Sequence, residues 1–154
     1  MQLISSRIDF GNCLLYNIPN TEISKLQKLQ NAAARIVSLS PKHCHITPIL
    51  QNLHWLPVKQ RIGFKILLLV FHCLRGTAPQ YNISLLHYYT PTRSLRSSNL
   101  GLLQIPNSKK LWGERAFAYA GPSLWNSLPQ GLRDLTSSDS FKSNLKTYLF
   151  KTMP

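Results

Sequence analysis

The chain has 154 residues, enough for one hydrophobic core, and 44% of them are hydrophobic, which argues against wholesale disorder. Eighteen Lys and Arg stand against five Asp and Glu, a formal net charge of +13. That imbalance favours anionic partners, and five carboxylates (Asp9, Glu22, Glu114, Asp134, Asp139) leave little material for acid–base or metal chemistry. Three cysteines (Cys13, Cys44, Cys73) form no paired framework, as expected of a reduced, intracellular protein, nuclear or cytoplasmic. The N-terminal apolar stretch is too short for a signal peptide. The longest apolar run, Ile66 to Phe71, falls far short of the roughly 20 residues that span a bilayer, so no membrane partner is expected.

The apolar period is mostly helical. Residues 3–17 form a first helix candidate, stopped by Pro19. Asn20 or Thr21 can cap a second, with Glu22 in its first turn. Ile23, Leu26, Leu29, Ala33 and Ile36 recur at spacings of three and four, beside Lys25, Lys28 and Arg35, and this helix should end near Ser40-Pro41. Thr47 can cap a short helix through Leu53, with Pro48 at its first position. Pro57 opens the strongest helix, Val58 to Leu74, basic at first (Lys59, Arg61, Lys65) and then apolar almost all round, with Gly76 as its stop.

Residues 79–89 give another short helix with Ile83, Leu85 and Leu86 inward. Residues 90–98 lack a period and form a basic loop. Leu100–Ile105 and Lys109–Trp112 flank Pro106-Asn107-Ser108, the pattern of a small hairpin. Residues 114–128 return to helix, broken or kinked at Gly121-Pro122. Asp139 can cap a last helix to Lys151, with Phe141, Leu145, Tyr148 and Leu149 inward. The expectation is a mainly α fold: one compact, irregular, basic helical domain over residues 1–154 with one small β-hairpin.

Several chemistries lack their motifs. Neither Gly-x-x-x-x-Gly-Lys-Ser/Thr nor Gly-x-Gly-x-x-Gly occurs, nor the Gly-x-Ser-x-Gly of a nucleophile elbow. Asp134 and Asp139 are the one close acidic pair, and helix capping accounts for them better than metal binding. His43, Cys44, His45 and His54 are metal-ligand types, but sequence neighbours point apart in extended chain. A zinc site would also need Cys13, His72 or Cys73. No metal, cofactor or catalytic residue is expected. The basic clusters carry the signal, because Lys and Arg bind phosphate without base-specific motifs. The nucleic-acid-binding candidates are Lys25, Lys28, Arg35, Arg61, Lys65, Arg93, Arg96, Lys109 and Lys110, with Trp112 a candidate for base stacking.

A set of ordered segments carries a resemblance. They include Ser6-Arg7-Ile8-Asp9-Phe10-Gly11-Asn12-Cys13-Leu14-Leu15-Tyr16, Leu29-Gln30-Asn31-Ala32-Ala33-Ala34-Arg35-Ile36-Val37 and His45-Ile46-Thr47-Pro48-Ile49-Leu50. Leu53-His54-Trp55-Leu56-Pro57-Val58, Arg61-Ile62, Phe64-Lys65-Ile66, Gly76-Thr77-Ala78-Pro79-Gln80-Tyr81 and Arg93-Ser94-Leu95-Arg96-Ser97-Ser98 follow. Then come Arg115-Ala116-Phe117, Pro122-Ser123-Leu124-Trp125-Asn126-Ser127-Leu128-Pro129 and Phe141-Lys142-Ser143-Asn144-Leu145-Lys146. In this order they resemble the C-terminal portion of LINE-type (non-LTR, Jockey-like) retrotransposon reverse transcriptases. The resemblance covers nearly the whole chain. Two departures stand out: Phe10-Gly11-Asn12-Cys13 where the family tends to show Tyr-Cys-Asn-Ser, and Asn17 where it usually has Gly.

The resemblance implies the thumb-proximal and post-polymerase part of an RNA-directed DNA polymerase. The family's catalytic aspartates lie upstream in the palm, and no Asp-Asp pair occurs in this chain. It would therefore be a non-catalytic fragment of a transposable element that binds RNA or DNA backbone. In a full-length parent it would pack on the polymerase thumb and palm. The alternatives are a protein-interaction or scaffold module and a non-functional open reading frame.

Overall fold

Among the described residues, four helices begin directly after a proline. The structure, a computed structural model, describes residues 2–91, 101–108, 110 and 112–152. Among them run α1 (Gln2–Asp9), α2 (Asn20–Ser38), α3 (Ile46–Asn52), α4 (Val58–Leu74), α5 (Gln80–Ile83), α6 (Phe117–Asn126), α7 (Gln130–Arg133) and α8 (Ser138–Lys151), with short 3-10 turns at Asn12–Leu15 and Gly113–Arg115. Pro19, Pro57, Pro79 and Pro129 stand before α2, α4, α5 and α7, and each carbonyl accepts a first helical bond. The extended geometry of proline suits the residue outside a helix, and its missing N–H is not needed there. Pro19 is thus the residue at the α2 boundary, and neither Asn20 nor Thr21 is the side-chain cap expected there. Helix α3 starts at Ile46 after His45, so Pro48 is its third residue rather than its first; it still lies in the first turn, whose N–H groups have no helical acceptor.

The C-termini of α2, α3 and α4 share one device. Ser40 N–H bonds to Arg35 O and Leu39 N–H to Ile36 O; Trp55 to Leu50 and His54 to Gln51; Thr77 to His72 and Gly76 to Cys73. Each is a Schellman motif with the pivot residue left-handed: Leu39 at φ 51°, His54 at 53°, Gly76 at 69°. Asn17 also sits left-handed, at φ 55°. The single helix expected over 3–17 is instead α1 and a 3-10 turn, divided at Gly11 with φ 60°, which glycine adopts without a Cβ clash.

The chain forms two compact units, residues 1–63 with 146–154 and residues 64–145. In the first, α2 packs on α1 and α3, and Ala34, Ile49 and Leu50 form a core against Cys44, Ile46, Leu53 and Trp55. A buried amide network joins α2 to the start of α4. Gln30 donates to the Leu56 carbonyl at 2.8 Å, Gln27 donates to Gln30 Oε1 at 3.1 Å, and the Val58 N–H donates to Gln27 Oε1 at 2.9 Å. Every member is satisfied, so Gln30 can be buried without an orphan group.

The second unit is built on Ile66, Leu67, Val70 and Phe71 of α4, Trp125 of α6, and Phe141 and Leu145 of α8, all buried. Phe71 and Phe141 stack at 4.4 Å between centroids. Helix α6 runs continuously through Pro122, so the break that was one of the two alternatives expected there does not occur. Gly121 lets it approach closely: a Cβ there would lie 2.9 Å from Val70 Cγ2. The helix expected over 79–89 is only the one turn of α5, and Leu85 is exposed.

The hairpin across Pro106-Asn107-Ser108 is not formed among the described residues. Leu103 instead makes an antiparallel bridge with Tyr88, with Tyr89 N–H to Leu102 O at 2.9 Å and Gln104 N–H to His87 O at 2.8 Å. The reason lies in α6. Asn126 both donates to and accepts from the Leu103 backbone, and the Trp125 indole donates to Gly101 O, which fixes this segment in place.

Candidate nucleic-acid interface

Helix α2 presents its cations beside Ala32, Ile36 and Leu39. Lys28, Arg35 and Lys42 line a groove of about 620 Å³ with these residues. Arg35 is held at the rim by Nη2, which donates to the Cys44 carbonyl at 3.3 Å, while its buried Nε–H has no acceptor. Next to this groove, and sharing Lys28 and Asn31 with it, lies a hollow of about 420 Å³ lined also by Lys59, Ile23 and Leu50. Lys25 is exposed but bonded to Glu22 at 2.8 Å, a surface pair of small energetic weight, roughly 0.2–0.5 kcal/mol.

Arg61 is differently placed. Its side chain is 14% exposed and its guanidinium pairs with Asp9 at 2.9 Å, and Asp9 also accepts from Asn12 at 3.5 Å. Screening by water is weaker here than at the surface, so the charge is committed to holding α1 to the start of α4. Lys65 and Lys110 are exposed in the second unit. Arg93, Arg96 and Lys109 lie outside the described residues. Trp112 is 77% exposed, with the Arg115 guanidinium 5.4 Å from its ring centroid, a cation–π contact.

Of the candidates, then, Lys28 and Arg35 come together and Arg61 does not join them. Lys42 and Lys59 complete the basic surroundings of α2 and were not among the residues singled out from sequence. Lys42 had a signal, the seven-residue spacing 28–35–42, which carries the row of cations past the end of the helix. Lys59 needed the fold, since the hydrogen bonds from α2 to Leu56 and Val58 bring the start of α4 to Lys28.

Among the described residues no three His, Cys, Asp or Glu come together as a metal site. His43 and His45 are exposed and Cys44 half-buried. Cys73 is buried in α4, and burial pushes its thiol pKa up, away from the thiolate that nucleophilic chemistry needs. No described helix is long and apolar enough to cross a membrane. Comparison of the chain with protein-family models, with curated proteins and with solved structures gives no match.

Proposed function

We propose that the chain is a retroelement-derived, non-catalytic module that holds RNA or DNA through backbone phosphates. The observation that carries this reading is the charge balance. Even if all five carboxylates paired one-to-one, thirteen cations would have no acidic partner. Three of the carboxylates, Asp9, Glu22 and Asp139, are in ion pairs. Neither hollow beside α2 is lined by a carboxylate, and phosphates need nothing more specific than such a surface. The ordered segments that resemble non-LTR reverse transcriptases supply the evolutionary half of the reading.

The test is a titration of labelled single-stranded RNA and duplex DNA at two salt concentrations. With four to six phosphate contacts, affinity should fall on the order of 10²-fold between about 50 and 200 mM salt. Binding indifferent to salt, or no tighter than micromolar at low salt, overturns the phosphate reading. Nucleotide incorporation by the isolated chain overturns its non-catalytic part.

A further inference from the structure

Phosphate binding leaves one feature of α2 without a purpose. Leu29, Ala32 and Ile36 follow the three-four spacing of a coiled-coil seam and share one side of the helix, and Leu39, just past its end, lines the same groove as Ala32 and Ile36. All four are exposed, Leu29 by 63%, Ile36 by 74% and Leu39 by 92%, whereas Gln30, Ala33 and Ala34 face the core. Leu39 is the left-handed pivot of the α2 terminus, a position glycine fills without strain. Folding of this unit gains nothing from a leucine held in water there.

The charges beside this seam are patterned too. Lys28, Arg35 and Lys42 recur every seven residues and line the same groove as Ala32, Ile36 and Leu39, and no carboxylate lines it. We propose that the groove docks an acidic amphipathic α-helix from another protein. That helix would place leucine-like residues on the seam and a carboxylate every seven residues against Lys28, Arg35 and Lys42. The seam from Leu29 to Leu39 spans about 15 Å, roughly three turns, so the docked segment is short. Charge complementarity selects this occupant. A second copy would bring the same cations and +13 more charge to the contact. A nucleic-acid backbone would satisfy the cations but leave the aliphatic seam wet. The inference does not depend on the phosphate reading.

The probe is a fluorescein-labelled synthetic helix of about two to three heptads, Leu at a and d and Glu at e and g, beside a scrambled peptide of equal composition. Both are titrated into the full chain, and the RNA titration is run in parallel. Micromolar binding of the patterned peptide, at least about tenfold tighter than the scrambled one, is expected. The double variant Ile36→Ser, Leu39→Ser should lose about tenfold in peptide affinity while keeping its circular dichroism and its RNA affinity. Lys28→Glu should weaken the patterned peptide and be rescued by a peptide carrying Lys on the matching edge. The proposal is overturned by no binding of the patterned peptide, equal binding of the scrambled one, an indifferent double variant, or a chain that sediments as a dimer through this seam. Loss of RNA affinity in the double variant overturns it as well, by assigning the seam to nucleic acid. Failure of the RNA titration with retained peptide binding would instead sink only the phosphate reading.

Discussion

Asp9 and Arg61 lie far apart in sequence, and their pairing changes what Arg61 is for. Both are only part-exposed, so removal of either leaves a charge without its partner in a poorly solvated place. Arg61→Ala should lower stability by about 1–3 kcal/mol in urea unfolding, whereas Lys28→Ala, at an exposed site, should stay within about 0.5 kcal/mol. If both variants weakened RNA binding equally with no difference in stability, Arg61 would belong to the interface after all. Cys73 offers a second residue-scale test. Its native thiol is held above its ordinary value of 9.0 by burial, so the native state keeps a proton that the unfolded state gives up first. Stability from this group is complete below pH 9.0 and drains away as pH rises from there toward the raised native value. Cys73→Ala lacks that titration. The stability difference between wild type and variant should therefore shrink above pH 9.0, and a difference constant with pH would refute the assignment.

At the scale of elements, helix ends were legible wherever one residue type has one reason to be there. Pro57 and Gly76 bracket α4 because proline cannot continue a ladder upstream and glycine turns left-handed without strain. Leu39 and His54 make the same Schellman turn and were invisible, because neither residue type advertises the left-handed geometry that the backbone hydrogen bonds close there. The hairpin expectation failed for a related reason. Its turn residues were suitable, but pairing was decided by the amide of Asn126, remote in sequence. Pro122 should have interrupted a helix by local rules, yet α6 is held by burial of Ala120, Gly121, Pro122 and Trp125. The close approach at Gly121 makes this testable. Gly121→Ala would gain helix propensity of up to about 1 kcal/mol but press its methyl on Val70, so a net loss of about 1–3 kcal/mol is expected from thermal or urea unfolding. A more stable Gly121→Ala variant would mean that α4 and α6 have room to spare.

Across the whole molecule, side chains that reach between segments remote in sequence hold each unit together. Asp9 pairs with Arg61, Gln30 reaches Leu56, Arg35 reaches Cys44, and Trp125 with Asn126 grips residues 101–103. Charge excess was readable from composition alone, but which cations are spoken for was not, since that depends on contacts between distant segments. The basic surface around α2 belongs to one unit, with Lys28, Lys42 and Lys59 exposed there. Each lysine that contacts phosphate releases a counterion on binding, worth about 0.7 in the salt slope for a single strand. Replacing Lys28, Lys42 and Lys59 together by Gln should therefore flatten the slope by about two units while leaving unfolding stability nearly unchanged. Lys65→Gln with Lys110→Gln, in the other unit, provides the comparison. If the second pair flattened the slope and the first three did not, the phosphate site would have to move from α2 to the surface of residues 64–145. The seam of Leu29, Ile36 and Leu39 would then be the sole binding feature proposed for α2, and its basic row would serve the docked helix alone.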